Sequence, residues 1–145
     1  MVLPEMKHIL VTTDFSEASE AAFDYVEQLF ALFKEDGLRC TLLSVLEDLG
    51  NTAQYRYALA LMQSHGVREQ MLEEAEKQLE EIKATRFANL PVTTVAFHAK
   101  KPIHKEIIGY AEANDVDLIA IATHGRTGFQ QLLLGSVSEK VIRET

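Results

Sequence analysis

Residues 116 to 140 read VDLIAIATHGRTGFQQLLLGSVSEK. The run Leu118-Ile119-Ala120-Ile121-Ala122 is apolar and short enough to be one strand buried on both faces. Gly125 and Gly128 then break the chain, and Gly135-Ser136 breaks it again before a helical pattern. A buried strand, a glycine loop and a helix start together suit a phosphate. Glycine brings backbone N–H groups close to a ligand because it reaches φ > 0 at little steric cost. The helix start adds unpaired N–H donors and the positive end of its dipole. Ser136 can cap that helix, or hold phosphate or its metal. Simple turn geometry in an α/β sheet calls for the same residues, so both readings stand on this stretch alone.

The chain before this stretch alternates strands with helices. His8 to Thr13 is apolar and β-branched and reads as a buried strand. Asp14 or Ser16 can cap the helix that follows, with Glu17 and Glu20 opposing its dipole. From Ser16 to Asp36 the stripe Ala18, Ala21, Ala22, Tyr25, Val26, Leu29, Phe30 and Phe33 predicts a helix with a polar back face. Gly37 suits its C-terminal stop. Leu38 to Leu46 reads as the second strand. Glu47 to Gly66 is irregular, with a short helix expected over Tyr55 to Met62. Val67 to Phe87 is a charged helix with one stripe of Val67, Met71, Ala75, Leu79 and Ile82, supported by Glu73–Lys77 at i,i+4. Val92 to His98 is the third strand. Pro102 opens a helix whose inward residues are Ile103, Ile107, Ile108 and Ala111. Asp117 to Ala122 is the fourth strand, and Ser136 to Thr145 begins the last helix.

This alternation predicts an α/β fold: a doubly wound parallel sheet with helices on both faces, Rossmann-like, in one domain over residues 1 to 145. Ligands in such sheets sit outside the carboxyl ends of the strands, where the strand order reverses. If the first and fourth strands are neighbours there, Thr12-Thr13-Asp14 and Ala122-Thr123-His124-Gly125 face one crevice.

Composition narrows the partners. The chain has 145 residues, a net charge of −8, 47% hydrophobic and 25% charged residues. The acidic balance argues against nucleic acid and against an anionic membrane surface. An anionic ligand is still accommodated where a helix start and backbone amides outweigh the global charge. Cys40 is the only cysteine, so no intramolecular disulfide forms and no thiol metal motif fits. No apolar run reaches transmembrane length and Met1 to Lys7 lacks the layout of a signal peptide, so a cytoplasmic location is expected.

THGRTG followed by LLLGSVSEKVI resembles the universal stress protein family. Nucleotide-binding members of that family carry Gly, two residues, Gly, nine residues, then Gly-Ser or Gly-Thr. Here the second glycine is Gly125, and Arg126 to Leu134 separate it from Gly135-Ser136. The first position is Ala122, whose extra methyl is expected to weaken binding without abolishing it. ILVTTDFSEASEAA resembles the family's opening strand and Asp-x-Ser turn. TLLSVLED resembles its second strand, with Ser44-Val45 where His-Val is frequent. The resemblance implies ATP with Mg²⁺ or Mn²⁺ at the switch point. It places Thr13 and Asp14 near nucleotide and metal, with Asp14 the metal ligand, and Val45 on the adenine. Gly125, Arg126, Gly128, Gly135 and Ser136 would cradle ribose and phosphates, with Ala122 beside them and Ser138 adding a hydroxyl. It also implies a homodimer and an unidentified protein partner. The family's fifth strand, commonly part of the dimer contact, is not seen before Thr145, and a further C-terminal segment is expected.

Three readings follow. The first is a stress-response module that binds adenine nucleotide and regulates a partner. The second is an interaction module of the same fold without nucleotide, which Ala122, Ser44 and the acidic charge allow. The third, an adenine-nucleotide enzyme, lacks support. No paired carboxylates, Cys/His dyad or catalytic serine motif stands out, and His124 has no partner for nucleophilic catalysis. At most slow, metal-assisted ATP hydrolysis is expected. For Asp14, capping and ligand roles are evenly weighed, and Arg126 either meets phosphate or is solvated.

Overall fold

The computed structural model describes residues 6–33, 37–47 and 66–121. They form β1 (His8–Thr12), α1 (Ser19–Phe33), β2 (Arg39–Leu46), α2 (Val67–Arg86), β3 (Val92–His98), α3 (Ile103–Ala113) and β4 (Leu118–Ala120). The four strands make one sheet in the order β3-β2-β1-β4, and every pairing is parallel. The strand order therefore reverses between β1 and β4, the adjacency that the sequence reading left as a condition.

The handedness of parallel crossovers explains the layers. Stepping from β1 to β2 to β3 in one direction, right-handed connections place α1 and α2 on one face. The step from β3 back across the sheet to β4 places α3 on the other. Two cores result. Ile9, Val11, Cys40, Leu42 and Val92 pack with Ala22, Phe23, Val26, Leu29 and Phe30 of α1 and Leu79 of α2. Leu10, Leu43 and Ile119 pack with Ile107 and Ala111 of α3. Strands that serve two cores read as continuous apolar runs; all five residues of β1 are buried.

Sequence and structure differ in detail. In α1 the inward residues include Ser19 and Phe23, whereas Ala21 is exposed. Met71, placed on the inward stripe of α2, is 38% exposed, while Ala75 and Leu79 are buried. Gly37 has φ +73°, the left-handed stop expected after α1. Cys40 is buried, and burial pushes its thiol up to about 12, so it packs as a small apolar residue. The helix expected over Tyr55 to Met62, and the one beginning at Ser136, lie outside the described residues. Among the described residues, no helix is long and apolar enough to cross a membrane.

Candidate functional site

At the carboxyl end of β1 the chain makes a tight, hydrogen-bonded turn. The Thr13 N–H donates to the Leu43 carbonyl oxygen at 3.0 Å, which keeps Thr13 in line with the sheet. Thr13 Oγ1 then accepts from the Phe15 N–H at 2.9 Å. Asp14 Oδ1 accepts twice, from the Ser16 N–H at 2.9 Å and from Ser19 Oγ at 3.0 Å. Phe15 is forced to φ 67°. For a residue with a Cβ this conformation costs on the order of 1–2 kcal/mol, which the surrounding bonds offset. Asp14 thus does not cap α1 in the simple sense. It closes an Asx turn, and the helix opens through i→i+3 bonds such as Ser19 N–H to the Ser16 carbonyl oxygen at 3.1 Å.

The turn leaves the Asp14 carboxylate exposed, and the two bonds above fall on Oδ1. Partial burial raises its pKa, but the bonds from Ser16 and Ser19 outweigh that and hold the carboxyl below its ordinary range. It is therefore a carboxylate at neutral pH. Among the described residues, no group of three or more His, Cys, Asp or Glu side chains can hold a metal ion. One exposed carboxylate is still compatible with Mg²⁺, which keeps several waters and binds through one or two carboxylates plus ligand phosphates.

Thr13 and Asp14 both stand at the carboxyl end of β1. Val45 lies one strand away, near the carboxyl end of β2, beside Phe97 in register. It is half-buried against the α3-side core, an apolar wall suited to a flat heterocycle. On the other side of β1, Val11 pairs with Ala120, so β4 delivers the chain to the same edge of the sheet. Ala122, Gly125, Arg126, Gly128, Gly135, Ser136 and Ser138 lie outside the described residues.

A hollow of about 470 Å³ opens beside the turn on the α1–α2 face. Thr13, Phe15 and Phe23 line it, with Glu20, Glu74 and Glu81 and no Lys or Arg. Three carboxylates suit it poorly to a polyphosphate. Sequence reasoning named Thr13 and Asp14 but missed Ser19, which is 1% exposed and fixes the carboxylate. The available signal was a serine at i, i+3, i+4, i+7 spacing with Ala22, Phe23 and Val26.

The family model that matches residues 5–145 is described as the universal stress protein family. The chain is 30% identical over 154 residues to universal stress protein MJ0577 of Methanocaldococcus jannaschii, covering 96% of this chain and 90% of the relative. It is 29% identical to universal stress protein YxiE of Bacillus subtilis, covering 92% and 89%. The solved structure of MJ0577 superposes with a TM-score of 0.66 at 28% identity, covering 98% of this chain and 92% of that one. That of UspA from Lactobacillus plantarum gives 0.61 at 22% identity, covering 97% and 93%, a likeness of fold.

Proposed function

The chain belongs to the universal stress protein family, and from this premise we propose that it binds ATP with a divalent metal at the β1–β4 switch point and acts as a nucleotide-dependent regulatory module. The observation that carries the proposal is geometric. The Asp14 turn ends β1, and β4, its neighbour across the reversal of strand order, runs to the same edge. The sequence after β4 is the glycine segment, which by its residues reads as a loop and a Gly135-Ser136 helix start suited to phosphate.

In this reading the residues divide the work by chemistry. Val45 offers an apolar surface to adenine. Thr13 and Asp14 bound the ribose and phosphate side, and the exposed carboxylate of Asp14 holds the metal beside the phosphates. The metal supplies charge neutralisation when bound. Gly125, Gly128, Gly135, Ser136 and Ser138 supply backbone and hydroxyl donors near Ala122, and Arg126 pairs with phosphate. Turnover is slow at most, because the sequence carries no recognisable catalytic motif to accompany the carboxylate. The module acts in the cytoplasm, as a homodimer, on a protein partner.

The test uses the protein as purified. Denaturation and chromatography identify released nucleotide, and the apo protein is titrated with ATP and Mg²⁺. Saturable binding is expected. Gly135→Val, which sets a branched side chain where phosphate is expected, should weaken ATP affinity more than tenfold. Its unfolding free energy in urea should stay close to that of the parent, so that a loss of binding reports the site and not the fold. Binding unchanged by Gly135→Val would reject the cradle. No binding by the parent would favour the interaction module without nucleotide.

A further inference from the structure

His8 stands at the amino end of β1, opposite the candidate site, and is 2% exposed. Both ring nitrogens are engaged. Nδ1 lies 3.0 Å from the Asn114 carbonyl oxygen and Nε2 lies 2.7 Å from Thr41 Oγ1. A carbonyl oxygen only accepts, so Nδ1 carries the ring proton and Nε2 accepts from the Thr41 hydroxyl. His8 thereby ties together β1, β2 and the connection from α3 to β4.

Asp117 closes the same corner. Its Oδ2 accepts from the backbone N–H groups of Lys7 at 2.9 Å and His8 at 3.0 Å. Its own N–H donates to the His8 carbonyl oxygen at 2.8 Å. Beyond this corner the register pairs of β1 with β4 are Ile9–Leu118, Leu10–Ile119 and Val11–Ala120. The ladder is short, and it is the last paired strand before the glycine segment.

A second proton on this ring has no ready place. Nε2 would turn from acceptor to donor, facing a hydroxyl that already donates to it. Thr41 would have to rotate and find a new acceptor inside the sheet. The charge would also be buried. Burial is the largest influence on the ring and holds its pKa below the ordinary 6.5. The Asn114 carbonyl pulls the other way, as do Asp117 and Asp115 in the turn before β4, while Arg39 of β2 acts with burial.

We propose that His8 is an acid-operated latch on the β1–β4 seam: the neutral ring locks β1, β2 and the α3–β4 connection together, and charging it releases the amino end of the seam. The opened corner binds one more proton than the closed one. Closure is therefore complete above the ordinary histidine pKa and weakens as the pH falls from there toward the lower value of the closed state. Within that window the opening constant rises by up to about tenfold per pH unit. Transmission to bound nucleotide through β4 rests on the function proposed above; the latch itself does not.

The test is native-state hydrogen exchange on the full chain, without nucleotide, from about pH 8 to about pH 5. After correction for intrinsic rates, protection of Leu118–Ala120 is expected to fall toward tenfold per pH unit in the histidine window. Protection in α1, at Val26 and Leu29, should fall less. His8→Gln keeps a donor and an acceptor without titrating, and should flatten the β4 profile. Equal pH dependence in the parent and His8→Gln overturns the latch, and so does equal loss in β4 and α1. If His8→Gln does not fold, the ring of the parent is followed by NMR. Its protonation should coincide with loss of β4 protection, and Thr41→Val, which removes the donor to the neutral ring, should move both to higher pH. A ring that charges while β4 protection holds overturns the proposal.

Discussion

Asp14 bonds the turn through Oδ1 and, in the function proposed above, holds a metal, and the two roles can be separated by substitution. Asp14→Ala removes the acceptor for the buried Ser19 hydroxyl and for the Ser16 N–H. The loss expected is roughly 1–3 kcal/mol by urea unfolding, the cost of leaving the buried Ser19 donor unmatched. Asp14→Asn keeps an acceptor at Oδ1 and should lose less than Asp14→Ala, while removing the charge that a metal needs. Asp14 has a folded pKa below its ordinary value. Its contribution is therefore complete above that ordinary value, near pH 4, and is lost as the pH falls through the lower folded value. Equal losses in Asp14→Asn and Asp14→Ala would mean that the charge, not the acceptor, holds the turn. The Asp-x-Ser turn was legible through the family resemblance of ILVTTDFSEASEAA, and its physical basis is that an Asp side chain bonds its own backbone two residues on. The left-handed Phe15 was not, since nothing about an aromatic side chain signals φ > 0; the bonds on either side impose it.

Between elements, one arginine joins two helices whose apolar contact is uneven. The inward stripe of α2 is thin, with Ala75 and Leu79 as its buried members. At its end Arg86 reaches back to α1, bonding Asp24 at 2.5 Å and Glu27 at 2.9 Å. Its guanidinium also lies 5.7 Å from the Phe23 ring centroid. Both carboxylates are well exposed, so solvent screens the pairs and each contributes at most about 1 kcal/mol. The cation–π contact adds about 0.5–1 kcal/mol. Arg86→Met is expected to destabilise by about 1–2 kcal/mol in urea unfolding, and the difference should shrink in high salt. A difference insensitive to salt would assign the effect to packing of the side-chain stem. The helices themselves were legible from their spacing. The rotation of α1 was not fully so: alanines at Ala18 and Ala21 mark a stripe only weakly, and Phe23 claims the core because it buries far more area.

For the molecule as a whole, the sheet is a wall between two cores. The parallel, doubly wound sheet was legible from the alternation of strands and helices, whereas the order β3-β2-β1-β4 came from the structure. The candidate site was half legible. Strand-end residues can be placed from a pattern, whereas the approach of a glycine loop to a ligand depends on tertiary geometry that no local preference fixes. The two-core arrangement has a thermodynamic consequence that can be measured. Leu42 and Leu43 are adjacent in β2 and both 0% exposed. Leu42 belongs to the core under α1 and α2, and Leu43 to the core under α3. Leu42→Val and Leu43→Val each remove one methylene, at a cost of about 0.5–1.5 kcal/mol. Substitutions without shared partners add to within about 0.5 kcal/mol. Adjacency in sequence would ordinarily argue for coupling, but the backbone of a parallel sheet holds these side chains on opposite faces. The double variant is therefore expected to lose the sum of the two single losses. A deviation beyond about 0.5 kcal/mol in urea unfolding, with unchanged m-values, would mean that strain crosses the sheet and that the two cores relax as one.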